Sequence, residues 1–274
     1  MGKSAHELPA RAAGKMRVDQ VLVERGFAET RQKAQAMILV GQVTVDGKKV
    51  EKAGTRVPLG CIVEVLEAKS RYVGRGGLKL EAALDALGWS VRGWVALDIG
   101  SSTGGFTDCL LQHGAARVIA VDAGTGQLDW RLRQDPRVRL LERTNARYLR
   151  WEQIGEAADL ITMDVSFISA TQLLPAVAQF AQPGTRLLVL VKPQFEVGRK
   201  QVGKGGIVRD PELQRQAVNK VRACAASLGF GKFRDFPCAV LGAEGNQEYF
   251  LTAEFPAATP SAADSDTQQR VRQE

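Results

Sequence analysis

The sequence predicts an α/β protein in two parts: a small basic module, then a larger domain built on a mostly parallel sheet. Three observations carry this. Apolar runs of strand length recur between helix-patterned segments from about residue 78 to 255, as in a sheet covered on both faces. One of them, Val95-Ala-Leu-Asp98, runs into the glycine-rich turn Ile99-Gly100-Ser101-Ser102-Thr103-Gly104-Gly105-Phe106 and then an apolar helix. The excess positive charge lies entirely at one end: residues 1–80 hold 15 Lys and Arg against 8 Asp and Glu, whereas residues 81–274 hold 22 of each.

The 274 residues suffice for one domain of about 200 residues and a smaller companion. No apolar run approaches the roughly 20 residues of a membrane helix, and the N-terminus lacks a signal-peptide core. The chain is therefore expected in the cytoplasm with no membrane partner. Cys61, Cys109, Cys224 and Cys238 are far apart in a pattern that fits neither a metal nor a redox pair, and His6 and His113 are the only histidines. No metal site and no Ser-His-Asp arrangement is expected. The basic end suits a polyanion, although a solvated basic surface would carry the same charge.

Residues 1–15 show no apolar period and are expected to form a loose arm. From Met16, apolar residues recur at Val18, Val21 and Leu22, with Gly26 as the helix stop. Thr30 is placed to cap a second helix that carries Ala34, Met37 and Ile38 on one face and closes at Gly41. Val43 to Val50 alternates around Asp46-Gly47, a hairpin signal, and a last strand is expected at Ile62–Val65.

This order resembles the αL RNA-binding domain first seen in a small-subunit ribosomal protein. The matching residues are Arg17-x-Asp19-x-x-Leu22 and Arg31-x-x-Ala34-x-x-x-Ile38-x-x-Gly41-x-Val43-x-Val45-x-Gly47-x-x-Val50, within residues 16–67. The resemblance implies that Arg17, Arg31, Lys33, Lys48 and Lys49 face structured RNA. Such contacts read phosphates and A-form shape more than base sequence, and they weaken steeply with salt.

Residues 68–77 are glycine-rich and basic and are expected to form a linker, with Lys69, Arg71, Arg75 and Lys79 lining a route for phosphates. A helix is then expected from about Leu78 to Leu87. The turn after Asp98 has the marks of a cofactor loop: glycines admit a ligand close to the backbone, and the following helix aims unpaired N–H groups at it. Its G-x-x-x-G-G spacing is not the G-x-G-x-x-G of a dinucleotide fingerprint. A carboxylate at Asp98 would repel a pyrophosphate and suits a cation, such as the sulfonium and α-amino group of S-adenosylmethionine. Asp122 ends the next strand, Arg117–Asp122, where a carboxylate can bond ribose hydroxyls. The plainer alternative makes Asp98 and Asp122 strand-end caps and the glycines a tight turn.

Further strands are expected at Ala158–Asp164, Arg186–Lys192 and from Tyr249. Ligands of such sheets bind at the carboxyl ends of strands, so Asp98, Asp122, Asp164 and Lys192 are expected to converge on one crevice. A lone strand-end lysine would snorkel to solvent; beside Asp164, Lys79 and Glu248 it reads as a site residue.

Lys79, Asp164, Lys192 and Glu248 resemble the K-D-K-E tetrad of FtsJ-type ribose 2′-O-methyltransferases, as do Asp164-x-Ser166 and Val191-Lys192-Pro193-Gln194-Phe195-Glu196. With the αL domain in front, nearly the whole chain is similar to the TlyA family. The resemblance implies a Rossmann-like class I S-adenosylmethionine-dependent methyltransferase domain over 78–255. It also implies ribosomal RNA or ribosomal subunits as partner and ribose methylation on cytidine; no obligate protein partner is evident in the sequence. Lys192 is expected to act on the ribose hydroxyl, oriented by Asp164 and Glu248, with Lys79 steadying the oxyanion. Asp98, Gly100, Ser101, Ser102, Thr103, Gly104, Gly105, Phe106, Asp122, Asn145 and Asp164 are expected around the cofactor. Arg143, Arg147 and Arg199, with Lys200 and Lys204, would extend the RNA track or be solvated loop charges. Residues 256–274 are expected to be a disordered tail. Three other functions fit parts of the chain. They are a catalytically silent RNA-binding or ribosome-assembly protein, a membrane-active haemolysin, since TlyA relatives have carried that label, and a small-molecule methyltransferase, which leaves the N-terminal module without a purpose.

Overall fold

A computed structural model describes residues 14–28, 30–39, 41–65, 71–242 and 245–256. Residues 1–13 of the expected arm, 68–70 of the expected linker and 257–274 of the expected tail lie outside the described residues. The chain forms two compact units, residues 1–70 and 71–274.

In the first unit, β1 (Lys15–Arg17) leads into α1 (Val18–Glu24) and α2 (Arg31–Leu39), followed by β2 (Val43–Val45), β3 (Lys48–Lys49), β4 (Arg56–Pro58) and β5 (Val63–Val65). The Thr30 hydroxyl accepts from Lys33 N–H at 3.2 Å, the cap the sequence predicts. Asp46 and Gly47 both have positive φ, 49° and 74°, as a tight hairpin between β2 and β3 requires. β5 pairs with the other edge of β2, and β1 pairs antiparallel with β4. Neither β1 nor β4 is predicted, because three residues are too few to show a period. Val18, Leu22, Ala34, Ile38, Val43 and Val63 meet in one small core.

Beneath that core's rim lies Asp19, fully buried. It accepts two bonds from Arg17 at 2.9 and 3.0 Å, one from Arg31 at 3.1 Å and one from Gln35 at 2.9 Å. These donors, Arg17 first, hold its carboxyl well below the usual carboxylate range. Arg17 and Arg31, expected to face RNA, thus also hold the fold of their own unit.

In the second unit, α3 (Arg75–Leu87) precedes β6 (Val95–Ile99), α4 (Gly105–Gln112), β7 (Arg117–Val121), α5 (Trp130–Gln134), β8 (Val138–Leu141), α6 (Trp151–Ile154) and β9 (Ala158–Met163). Then come α7 (Leu174–Val177), β10 (Ala181–Val191), α8 (Pro193–Glu196), α9 (Pro211–Ser227), β11 (Gly231–Pro237) and β12 (Tyr249–Glu254). The sheet order is β11-β12-β10-β9-β6-β7-β8; the run from β10 to β8 is parallel, and β12 is antiparallel to both its neighbours. Alternate residues of each strand face opposite layers. Leu187, Val189 and Val191 pack with Val218 and Val221 of α9, whereas Leu188 and Leu190 pack with Leu80 and Leu84 of α3 and Leu110 of α4.

The helix expected from Leu78 starts three residues earlier, so Arg75-Gly76-Gly77 is its first turn and not linker. Its glycines serve close packing. A Cβ on Gly77 would lie 2.3 Å from the Tyr72 ring, and one on Gly105 of α4 would lie 2.9 Å from Gly77 N. Low intrinsic helix propensity is overridden by the contact between α3 and α4.

Candidate active site

The chain leaves β6 and goes to β7 on one side, but β9 lies on the other. The strand order therefore reverses between β6 and β9, and a crevice is expected at their carboxyl ends. Gly100 and Asp164 are the first residues beyond those two strands. Asp164 N–H donates to Ile99 O at 3.0 Å, and Gly100, at φ 82°, passes so close that a Cβ would sit 2.6 Å from Asp164 O. Only glycine fits there, for both conformation and space.

The crevice has two lobes. The larger, of about 500 Å³, is lined by Ser102, Asp122, Asn145, Asp164 and Ser166 among polar residues and by Val121, Ile168 and Leu173 among apolar ones. The smaller is formed by Ser101, Ser102, Thr103, Gly105 and Phe106 against Gly76, Asp164, Ser166 and Lys192. Asp122 is held in place by two backbone donors, Ser102 N–H at 2.8 Å and Gly124 N–H at 2.7 Å. Asn145 caps the next turn through Arg147 N–H, 3.0 Å from its side-chain oxygen. The Ser101 hydroxyl is buried with no partner within the protein.

Asp98 departs from the expected placement. It lines neither lobe; it is fully buried, accepting from Thr107 of α4 at 2.7 Å and from Thr162 of β9 at 3.0 Å. The cause is register: Asp98 pairs with Thr162 across the sheet, on the face that packs against α4. Burial raises its carboxyl to about 6, against the lowering effect of the two hydroxyls. It ties β6 to the first turn of α4 and to β9. Gly104 also lines neither lobe; it is the left-handed cap of α4, where a Cβ would meet Leu132 at 2.3 Å.

The four tetrad residues form two ion pairs. Lys192 Nζ lies 2.7 Å from Asp164 and donates to the Ser166 hydroxyl at 2.8 Å. Lys79 Nζ, one turn into α3, lies 2.6 Å from Glu248, and both side chains are buried. Glu248, expected to orient Lys192, is bonded to Lys79 instead. The pairs are nonetheless neighbours by register. Val191 is paired with Tyr249, and one step outward on the two antiparallel strands stand Lys192 and Glu248. In α3 a Cβ on Gly76 would come within 3.6 Å of Asp164.

Nothing in the sequence marks Thr107 or Thr162, since a hydroxyl within an apolar stretch carries no periodic signal, nor Gln127, a loop residue of the larger lobe that accepts from the Ser102 hydroxyl at 3.2 Å. Ser166 lay within the Asp164-x-Ser166 motif without a role of its own. Phe167 follows it with φ 66° and its ring 92% exposed on the rim of the larger lobe. Of the residues expected to meet RNA in this unit, Arg75, Arg143, Arg147 and Arg199 are exposed, and Arg71 pairs with Glu81 and lies over the Tyr72 ring. Lys33, Lys48 and Lys49 are exposed on the first unit.

Comparison with known proteins gives two domain matches, an FtsJ-like methyltransferase over residues 72–255 and an S4 domain over residues 16–63. A Mycobacterium tuberculosis protein named 16S/23S rRNA (cytidine-2′-O)-methyltransferase TlyA is 46% identical, over 87% of this chain and 90% of its own length. Hemolysin A of Brachyspira hyodysenteriae is 41% identical, over 85% of this chain and 98% of its own. A solved structure of a Streptococcus thermophilus protein, named as a hemolysin, superposes with a TM-score of 0.70 at 38% identity, over 96% of this chain and 100% of that one.

Proposed function

The chain belongs to the FtsJ-like methyltransferase family, in its TlyA group, and from that premise we propose that it methylates the 2′-hydroxyl of a ribose in ribosomal RNA, on cytidine, in the cytoplasm. The observation that carries the reading is the Lys192–Asp164 pair, held by Ser166 on the crevice at the strand-order reversal, with the Lys79–Glu248 pair beside it.

The crevice fits S-adenosylmethionine. Asp122 offers a carboxylate to ribose hydroxyls, Ser101 holds a buried hydroxyl in want of a partner, Gly100 leaves no Cβ in the way, and Ile168 and Leu173 supply an apolar wall for a base. Asn145 stands by that wall. When bound, the cofactor supplies an electrophilic methyl group on a sulfonium.

The rest is the work of side chains. Lys192 holds the ribose oxygen, and the hydroxyl proton passes to the Lys192–Asp164 pair, whose net charge rises from zero to +1 as the oxygen becomes nucleophilic. Ser166 and Asp164 fix the direction of Lys192 Nζ. Lys79, neutralised by Glu248, places a second positive group near the developing oxyanion. Lys48, Lys49 and Lys33 of the first unit, with Arg17 and Arg31 where their pairing with Asp19 leaves them half exposed, hold RNA phosphates. Arg71, Arg75, Arg143, Arg147 and Arg199 do the same on the second unit.

Labelled methyl transfer to ribosomal subunits from cells lacking this protein, followed by mapping of the modified nucleotide, tests the reading. The expected product is a 2′-O-methylcytidine in ribosomal RNA; label on a base, or on no RNA, overturns it. The hemolysin names belong to relatives, and among the described residues no helix is long and apolar enough to cross a membrane.

A further inference from the structure

Glu196 is a buried carboxylate that the methyl-transfer reading leaves without a task. It ends α8, the single turn that Lys192 begins, and its two oxygens reach across to another segment. Oε1 accepts from Ala170 N–H at 2.7 Å and Oε2 from the Ser169 hydroxyl at 2.5 Å. Ser169 in turn caps the one-turn helix Ala170–Gln172 that closes the Asp164–Ser169 loop. That loop already carries Asp164 and Ser166, the two partners of Lys192.

Two short segments, 164–170 and 192–196, are thus tied at both ends. At the crevice end the tie is Lys192 to Asp164 and Ser166; at the far end it is Glu196 to Ser169 and Ala170. The far tie has its own counter-charge. Lys220 of α9 donates to Glu196 O at 2.7 Å and lies 3.3 Å from Glu196 Oε2, with its side chain about half exposed. α9 packs on the sheet core through Val218 and Val221, so the tie is referred to the rigid part of the unit.

We propose that Glu196, neutralised by Lys220, is a positioning residue for methyl transfer: it sets the distance between the Asp164–Ser166 loop and the Lys192 backbone, and through it the aim of Lys192 Nζ. The physical ground is that two contacts at one end of a pair of loops leave a hinge, whereas contacts at both ends leave none. A nucleophile-directing group displaced by about 1 Å can lose on the order of a hundredfold in rate, so a modest loosening is enough to register.

The inference rests on the assignment of Lys192 to the ribose oxygen, and the experiment separates the two. Single-turnover transfer from labelled S-adenosylmethionine to unmethylated ribosomal subunits is measured with the full chain. Rates are expressed per cofactor-binding site, so that loss of folded protein does not count as loss of rate. Glu196→Gln keeps the size of the side chain but cannot accept from both donors; its rate per site is expected to fall about tenfold, with cofactor Kd within about twofold of wild type. Lys220→Met is expected to fall less, and Lys220→Arg to restore the rate. Ser169→Ala tests the same tie from the loop side if Glu196→Gln folds poorly, with a drop in the same direction expected. Wild-type rates per site in both Glu196→Gln and Ser169→Ala, with Lys192→Ala inactive, would overturn the positioning role and leave the reading of Lys192 intact. A Lys192→Ala variant as fast as wild type would remove the premise instead.

Discussion

The two units use the same kinds of charged residue in opposite ways. In the first, lysines and arginines stay at the surface, and Asp19 is the buried carboxylate among the described residues; its donors are Gln35 and two half-exposed arginines. In the second, Lys79 of α3 is buried with Glu248, and Lys192 with Asp164 stands half-buried at the ends of β10 and β9. Exposed charges act through a screened field and are individually weak and replaceable. Buried pairs depend on each partner, since removing one leaves the other desolvated and alone. The difference teaches which unit tolerates change: the basic surface of the first unit should lose function by degrees, the crevice all at once.

The sharpest break of that comparison is at Lys192. Lys192→Ala is expected to lower single-turnover methyl transfer by about a thousandfold while the melting temperature stays near that of wild type, because Asp164 can turn to solvent at the crevice. A loss below about tenfold would put Lys192 among the replaceable charges. Next comes the inner pair: Lys79→Met should destabilise the second unit by about 3 kcal/mol through the stranded Glu248. Thermal or urea unfolding of Lys79→Met beside the Lys79→Met, Glu248→Gln double variant checks this, since the second change should recover part of the loss.

Asp98 sharpens the comparison through pH. Its carboxyl, ordinarily near 3.8, is raised to about 6 in the fold, so the folded protein keeps a proton that the unfolded chain has already lost. The group's favourable contribution is complete below the ordinary value and is lost as pH rises through about 6, a change on the order of 3 kcal/mol. Asp98→Asn should therefore gain stability relative to wild type between pH 4.5 and 7.5, and its cofactor affinity should change less than that of Asp122→Asn. A parallel pair of stability curves would show that Asp98 does not titrate in that window.

The smallest effect belongs to the first unit. Lys48→Ala and Lys49→Ala should each weaken subunit binding only a few-fold at 0.1 M salt and lower the slope of log K against log salt by about one. An unchanged slope would place those lysines away from phosphates.

Much of this was legible along the chain. Strands at Val95, Arg117, Ala158, Arg186 and Tyr249 announce themselves because each is buried on both faces and so is continuously apolar. β8 and β11 do not, because edge strands carry mixed sequences such as Val138-Arg-Leu-Leu141 and Gly231-Lys-Phe-Arg-Asp-Phe-Pro237. The start of α3 was hidden by glycines whose purpose is a contact with α4. Asp164 and Lys192 could be picked out as an acid and a base at strand ends, and Lys79 and Glu248 joined them through the resemblance to the K-D-K-E tetrad, but which of the four would meet could not.

What the amino-acid sequence determined by itself is everything that local spacing encodes: the charge split between the units, the hairpin at Asp46-Gly47 and the glycine loop after β6, with the set Lys79, Asp164, Lys192 and Glu248 added only by family resemblance. What only the tertiary structure decided is who meets whom. Register across β10 and β12 set Lys192 beside Glu248, packing of α3 gave Glu248 to Lys79, and the β6–β9 register turned Asp98 toward α4. Tertiary pairing joins residues as much as 169 positions apart, as Lys79 of α3 and Glu248 are, and no local pattern records which of several chemically equivalent partners the folded backbone will bring within 3 Å.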